Sequence, residues 1–337
     1  MSPVFAELQQ LETIIQRLGN QAQTEVLTRI GYQDRSLPVY SISIGSQRDD
    51  VPVIAYFGGV HGLEKIGTEV LLAYLQTLSQ LLDWDEELQR RLEKSRLLFV
   101  PIVNPVGVWR GTRCNANGVD LMRNAPLEGI GKTKLYSGHR ISPHLPWYRG
   151  DVANMEAEAE ALCRVVRQQL SRSSLLIALD LHSGFGIQDR LWFPYASQKT
   201  PFPSLAEAHA FKQLFDSSYP HHFYKIEPMS QEYVISGDLW DYLYDEHFQQ
   251  TGESGDFLPL TLEMGSWQWL RKNPMHLFLR HGLFHPVLPH RQQRILRRHL
   301  TLFDFLFRAA LYSQRWSALD HTQRQMHQQL AMAAWYG

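Results

Sequence analysis

The sequence has few of the features that mark secreted, membrane-spanning or nucleic-acid-binding proteins. Its only cysteines are Cys114 and Cys163, too few for a disulfide framework. No apolar run reaches the roughly 18 residues that a membrane helix needs, and the N-terminus lacks the basic and then apolar pattern of a signal peptide. The 33 basic and 34 acidic residues nearly balance, and the basic ones form no stripe. These absences predict a soluble, cytoplasmic protein that binds neither nucleic acid nor a membrane, and they leave its oligomeric state open.

Apolar runs that end near glycine alternate with amphipathic segments along most of the chain. The runs predict strands at 37–44, 51–57, 96–103, 174–181, 191–195 and 259–265. Helical spacing of apolar residues predicts helices at 5–18, 68–82, 155–170, 204–215 and 291–311. The first two strands flank a short polar turn, so we expect them to pair. This alternation is typical of an α/β protein: a single three-layer domain with a mixed, mostly parallel twisted sheet flanked by helices.

Three of the predicted strand ends carry residues that can bind a metal ion. His61 and Glu64 follow the first glycine-rich end, His182 follows the second, and Glu263 lies at the third. The carboxyl ends of strands face the ligand crevice in such sheets. Two histidines and a carboxylate hold a catalytic zinc with one position open for water, and a further carboxylate is needed as general base. The pattern predicts one zinc ion per chain at the strand ends, held by His61, Glu64 and His182, with Glu263 as the base.

About fifty residues after the strand at 96–103 show no regular pattern. A long loop region within a compact domain is more often functional than idle. This one contains the segments 109–113 and 117–124, which together carry several arginines around a turn. We therefore expect it to contribute to substrate binding.

The sequence resembles the zinc carboxypeptidases similar to carboxypeptidase A in five motifs that occur in the family's order, over roughly residues 5–265. These motifs are His61-x-x-Glu64, Trp109-Arg110-x-Thr112-Arg113, Gly118-Val119-Asp120-x-x-Arg123-Asn124, His182-Ser183 and Thr261-Leu262-Glu263. The resemblance implies a catalytic domain at 1–288, and residues 289–337 are interpreted as a C-terminal helical extension packed on it.

The resemblance also implies catalytic roles for individual residues. Glu263 would activate the attacking water and pass its proton to the leaving amine. Arg113 would polarise the scissile carbonyl. Asp120 would accept a hydrogen bond from one of the ligand histidines and so fix its orientation.

The residues that would bind the substrate match the family pattern less completely than the metal ligands do. Arg123 would bind the terminal carboxylate of the substrate, and Tyr233 resembles the tyrosine that closes over the substrate in this family. The residue before Arg123 is Met122, where the family has an asparagine, so the carboxylate site is weaker or is completed by Asn124 or Arg110. The side-chain pocket would be lined by Leu239 or Trp240, with Asp238 close by.

The function predicted on this basis is a zinc metallocarboxypeptidase that hydrolyses the C-terminal amide bond of a peptide or peptide-like substrate with a free carboxylate. The alternative within the same superfamily is an N-acyl amino acid deacylase similar to aspartoacylase. A non-catalytic binding protein on the same scaffold is less favoured, because binding alone does not require ligands, base and arginine together.

Overall fold

The computed structural model describes residues 4–131, 134–265, 284–286 and 289–337, and eight strands in it form one mixed sheet. Their bounds are β1 Ala22–Tyr32, β2 Arg35–Gly45, β3 Val53–Gly58, β4 Arg96–Val100, β5 Leu176–Ser183, β6 Arg190–Phe193, β7 Lys225–Pro228 and β8 Phe257–Met264. Their order across the sheet is β1-β2-β4-β3-β5-β8-β6-β7. Strands β4, β3, β5 and β8 are parallel, as are β6 and β7, and the remaining pairs are antiparallel. The predicted mixed, mostly parallel sheet is confirmed.

Helices cover both faces of this sheet. They are α1 Ala6–Leu18, α2 Lys65–Leu81, α3 Glu86–Leu92, α4 Pro105–Arg110, α5 Ala157–Leu170, α6 Leu205–Ser218, α7 Leu239–Thr251, α8 Pro289–Arg298, α9 Leu300–Leu311 and α10 His321–Trp335. Successive side chains of a strand point to opposite faces, and the two aromatic residues of β3 show which helices lie on each face. Tyr56 packs against Phe303 of α9, and Phe57 packs against Trp240 of α7. None of the described helices is long and apolar enough to cross a membrane.

The central strands are buried on both faces. All residues of β3, β4 and β5 are buried, which explains why these strands appear in the sequence as continuous apolar runs rather than as alternating patterns. Their carboxyl ends, where the sequence turns polar, therefore present the functional side chains at one edge of a rigid core.

The predicted pairing of the first two strands is wrong. Strand β4 lies between β2 and β3 and pairs with both of them. Strand β2 instead forms a hairpin with β1. Strand β1 was not predicted, and only two of its eleven residues, Leu27 and Ile30, are buried. An edge strand with little apolar burial carries a weak sequence signal.

The helix predicted at 291–311 is two helices. The break falls at His299, whose buried ring contacts the hydroxyl of Tyr224 at 2.8 Å. Helices α3 and α7 were not predicted. Asp238 caps the amino end of α7, and its side chain accepts hydrogen bonds from the backbone N–H groups of Trp240 and Asp241.

The C-terminal helices belong to the core of the sheet. Leu302, Phe303 and Leu306 of α9 are fully buried in the same hydrophobic cluster as β3 and β5. Helix α10 packs against α6, and Trp335 contacts Phe193 of β6. The predicted domain boundary at residue 288 lies outside the described residues.

Candidate metal centre and active site

The parallel strands bring the predicted metal ligands together. Because β3, β5 and β8 are neighbours with the same direction, their carboxyl ends meet at one edge. His182 and Glu263 are paired directly in the register of β5 and β8, and His61 and Glu64 lie in the turn that follows β3. This turn requires Gly62, because a Cβ atom there would lie 1.8 Å from the carbonyl carbon of Gly107.

His61, Glu64 and His182 form a compact set of donors. One donor atom from each residue lies within 4.8 Å of the other two, and all three side chains are buried. The Nδ1 atoms of the two histidines are 3.2 Å apart and lie 2.9 and 3.0 Å from the two Glu64 oxygens. The three donor groups therefore face one point.

Each histidine is oriented by a buried carboxylate. Nε2 of His61 donates to Asp120 Oδ1 at 2.9 Å, and Nε2 of His182 donates to Asp180 Oδ2 at 2.8 Å. An ionised carboxylate can only accept, so Nε2 carries the proton and the lone pair on Nδ1 is available to a metal ion. This donor chemistry fits zinc.

Asp180 was not identified from the sequence, although a signal for it exists. Residues two apart on a strand share a face, so an Asp-x-His pair at a buried strand end places the carboxylate beside the imidazole. The Nε1 atom of Trp240 also donates to Asp180, at 3.1 Å.

The charge states of these groups reflect their mutual contacts. Burial opposes ionisation of Glu64, but His61 and His182 outweigh it and hold the pKa of Glu64 below its ordinary value. Burial likewise opposes protonation of His182, but Asp180 and Glu64 raise its pKa well above the ordinary value. Glu64 is therefore ionised and carries a negative charge that can bind a cation.

Asp120 also contacts Arg113 and Arg123, the two arginines for which the sequence analysis predicted roles in the active site. Its Oδ2 atom accepts from Arg113 Nε at 2.8 Å and from Arg123 Nη1 at 2.9 Å. Burial raises and the two arginines lower the pKa of Asp120, and the net result is well below its ordinary value. Arg113 in addition reaches Glu64 Oε1 at 3.3 Å. One ionised carboxylate therefore fixes the positions of a ligand histidine and of both guanidinium groups.

Glu263 is buried next to these ligands. One of its oxygens accepts the backbone N–H of Phe185 at 2.9 Å. Burial, together with the nearby Glu64 carboxylate, raises the pKa of Glu263 to about 8. A carboxylate with a raised pKa is suited to accept and return a proton near neutral pH.

A cavity of about 460 Å³ opens beside the donor cluster. Its lining includes His61, Glu64, Arg113, Met122, Arg123, Tyr136, Trp147, His182, Phe185, Trp192, Met229, Glu232, Tyr233, Ile235, Asp238, Thr261, Glu263 and Phe284. The metal donors, Glu263, both arginines and Tyr233 therefore share one space. Tyr136 and Trp147, which belong to the long irregular region, were not singled out in the sequence.

Two predicted substrate-binding residues lie elsewhere. The side-chain amide of Asn124 is buried, donates to the carbonyl of Arg149 and accepts from the backbone of Glu156, so its role is to hold the loop together. The guanidinium of Arg110 lies over the ring of Tyr32 at 5.3 Å, away from the cavity. Neither residue is among those that line the cavity, and completion of the carboxylate site by Asn124 or Arg110 stays a prediction.

Comparison with known sequences agrees with this geometry. The family described as zinc carboxypeptidase (peptidase M14) matches residues 14–271. Carboxypeptidase SOL1 of Arabidopsis thaliana is 26% identical over 264 residues, which cover 74% of this chain and 50% of that protein. Carboxypeptidase Z of Mus musculus is 27% identical over 265 residues, covering 68% and 40%. The chain thus spans half or less of the length of these relatives.

Solved structures share the fold. Bovine thrombin-activatable fibrinolysis inhibitor, in complex with tick carboxypeptidase inhibitor, superimposes with a TM-score of 0.66 at 16% identity, over 95% of this chain and 99% of that one. Carboxypeptidase A from Helicoverpa armigera gives 0.66 at 16% identity, over 89% and 71%. At this identity the likeness shows a common architecture.

Proposed function

This chain belongs to the zinc carboxypeptidase family, and from that premise we propose that it is a zinc-dependent metallocarboxypeptidase that hydrolyses the C-terminal amide bond of a peptide or peptide-like substrate. One observation carries the proposal: the metal donors, a buried carboxylate base and a buried arginine all line a single cavity. A binding site for peptides would not need the base and the metal donors together.

The zinc ion would be held by His61, Glu64 and His182. When bound there, zinc lowers the pKa of water and polarises carbonyl groups. Its positive charge would also favour the ionised form of Glu263, which burial alone disfavours.

Glu263 would accept a proton from the attacking water and return it to the amine that leaves. Arg113 would donate to the oxygen of the scissile carbonyl as negative charge develops there. Its guanidinium is held against Asp120 before substrate arrives, so little reorganisation is required. Loss of one such donor typically lowers turnover by about 10²–10³.

Arg123 would bind the carboxylate at the end of the substrate. Its Nη1 donates to Asp120 and its Nε donates to the carbonyl of Tyr136, so the guanidinium is held in place. Nη2 makes no hydrogen bond within the part of the chain that the structure describes. Met122 adds only an apolar contact, and the hydroxyl of Tyr233, whose pKa burial raises to about 12, remains protonated and able to donate.

The proposal is tested with the zinc-loaded protein and a set of peptides that carry either a free or an amidated C-terminus. We expect release of the terminal residue from the free peptides only, and no release by Glu263→Gln, which retains the shape of the side chain but cannot accept the proton. Equal cleavage of the amidated peptides would contradict the proposal. Cleavage of N-acyl amino acids alone would instead support the deacylase.

The Arg123→Ala variant tests the carboxylate site separately. We expect kcat/KM for the free peptide to fall by the equivalent of about 2–5 kcal/mol, the scale for losing one partner of a buried charge pair. Amidation of the peptide should then cost little more, because the arginine and the carboxylate form one interaction. Two independent, additive losses would show that Arg123 binds something else.

We also propose that the protein works in the cytoplasm. Both cysteines are unpaired in the structure, and Cys163 is buried, which suits a reducing compartment. Fractionation of cells that produce the full protein tests this location.

A further inference from the structure

One long stretch of the chain is basic and free of acidic residues. Between Glu263 and Asp304 the sequence contains six arginines, one lysine and five histidines, but no aspartate or glutamate. The rest of the chain has 26 basic and 34 acidic residues. The basic residues, which form no stripe elsewhere in the sequence, are thus concentrated here. None of them has a role in the proposed mechanism.

Three of these arginines lie on helix α8 without an acidic partner. The helix carries Arg291, Arg294, Arg297 and Arg298, and Arg298 forms an ion pair with Asp189. The other three form no ion pair within the described residues, which include every aspartate and glutamate of the chain. Arg291 is half-buried, and Arg294 and Arg297 are exposed. These three arginines, the basic face of α8, carry positive charge that the protein itself does not neutralise.

The stability of the helix does not account for this face. Residues three and four apart on a helix are neighbours, and like charges at such positions destabilise it. Arginine near the amino end also opposes the helix dipole, and Arg291 lies in the first turn of α8. The helix is held instead by Ile295 and Leu296, which pack with the hydrophobic core. The basic face therefore lowers the stability of α8 unless an anion binds it.

Both ends of α8 contact the edge of the sheet that carries the metal donors. Near its amino end, Gln292 donates to Glu69 Oε2 at 2.7 Å. Glu69 follows the metal donor Glu64 by five residues, which is about 7.5 Å along the axis of α2. At the other end, Arg298 pairs with Asp189, which directly precedes β6 beside the end of β8 that carries the proposed base.

The basic face is also within reach of a substrate that lies in the cavity. Phe284 lines the cavity, and five residues lead from it to Pro289, where α8 begins. Five residues span at most about 18 Å, and an extended peptide advances by about 3.3 Å per residue. A substrate whose C-terminal end lies in the cavity can therefore reach α8 with residues about four to eight positions before that end.

We infer that the basic face of α8 is a docking surface for an acidic segment of the substrate, on the amino-terminal side of the bond that is cleaved. The inference rests on the proposed carboxypeptidase function and adds a class of substrate to it, peptides with several aspartates or glutamates ahead of the cleaved end. Guanidinium groups bind carboxylates through paired hydrogen bonds. A peptide already held at its end in the cavity gains from this second contact, which favours it over a nucleic acid or a membrane surface.

The first experiment compares peptides that end in the same residues and carry, about four to eight positions before the end, a run of either glutamate or glutamine. In dilute buffer we expect kcat/KM for the glutamate peptide to be higher by about fivefold or more, mainly through a lower KM. In about 1 M salt, which screens charges beyond about 3 Å, the difference should disappear. Equal cleavage in dilute buffer would overturn the inference while leaving the carboxypeptidase proposal intact.

The double variant Arg294→Gln/Arg297→Gln removes the two exposed charges of the basic face. Its preference for glutamate should fall to within about twofold, with kcat for the glutamine peptide unchanged. The control Arg90→Gln/Arg308→Gln removes the same charge from exposed arginines of α3 and α9 and should retain the preference. An equal loss in both variants would show that overall charge, and not α8, selects the peptide. Thermal melting of both variants monitors folding.

A binding measurement separates this inference from the peptidase proposal. The fluorescently labelled glutamate peptide is titrated into zinc-loaded Glu263→Gln protein, with and without the changes at Arg294 and Arg297. The glutamine peptide, a short DNA duplex and vesicles of phosphatidylserine and phosphatidylcholine serve as comparisons. Tighter binding of the glutamate peptide than of the glutamine peptide, lost on removal of the two arginines, supports the inference even if no peptide is cleaved. Binding through these arginines of DNA or vesicles alone would refute it.

Discussion

At the scale of single residues, the environment decides what each carboxylate of the site does. Asp120 and Asp180 each accept from a histidine ring, so they serve as fixed acceptors that orient the metal ligands. Glu263 accepts a single backbone N–H in a buried position, and its pKa rises. Asp238 faces the cavity, and its Oδ1 atom caps helix α7. The function of each carboxylate in this region thus follows from its partners.

The Asp180→Asn variant tests this view of the ligand environment. The amide group is a weaker acceptor than a carboxylate, so His182 is held less firmly and becomes a poorer ligand. Zinc affinity should fall by about 10–100-fold, measured by competition with a chromogenic chelator. The control is Asp245→Asn, whose carboxylate accepts from Tyr195 outside the cavity. Unchanged affinity, equal to that of this control, would show that Asp180 does not support the metal ligand.

At the scale of elements, the irregular region after β4 is held in place by backbone contacts with the segment that leads into α7. Gly237 donates its N–H to the carbonyl of Leu127 and accepts from Ala125. Its φ of 79° and the close approach of Arg123 both require glycine. A loop without regular structure can therefore position Arg123 as firmly as a strand would.

The Gly237→Ala variant tests this contact. The added methyl group would clash with the backbone of Arg123, so we expect the free energy of unfolding to fall by at least about 2 kcal/mol and KM to rise. Gly252 is the matched control, because its φ is 67° and no atom lies within 4 Å of a Cβ there. Gly252→Ala should cost only about 1 kcal/mol and leave KM unchanged. Urea unfolding and peptide kinetics measure both; equal effects at the two positions would contradict the close approach.

At the scale of the whole molecule, the parallel order β3-β5-β8 assembles the site, and the C-terminal helices complete the core behind it. Phe303 of α9 contacts Tyr56 of β3 and Tyr74 of α2, with ring centroids 5.1 and 4.8 Å apart. The tail of the chain therefore supports the strand that leads to His61.

The Phe303→Ala variant measures this contribution. Removal of a fully buried ring should lower the free energy of unfolding by about 3–5 kcal/mol. Leu300, in the same helix, is 40% exposed, and Leu300→Ala should change stability by less than about 0.5 kcal/mol. Chemical denaturation of the zinc-loaded protein compares the two. Similar small effects would show that α9 is not needed for the stability of the core.

The sequence by itself determined the class of fold, the metal donors and the proposed base. These depend on local patterns: apolar runs long enough to be buried, glycine at their ends, and polar side chains directly after them. The sequence analysis therefore placed His61, Glu64, His182 and Glu263 at strand ends, and the structure brings all four together. Asp180 also lies in such a pattern but was overlooked.

The tertiary structure alone decided which strands are neighbours and which side chains reach the cavity. Strand β4 separates β2 from β3 because pairing depends on contacts between distant segments, which no local pattern encodes. Asn124 and Arg110 belong to the motifs yet turn away from the cavity, because each satisfies partners that lie elsewhere in the chain. Asp238 faces the cavity, whereas Leu239 and Trp240 do not line it. In an irregular segment the direction of a side chain is set by the backbone contacts of its neighbours, and those contacts exist only in the folded chain.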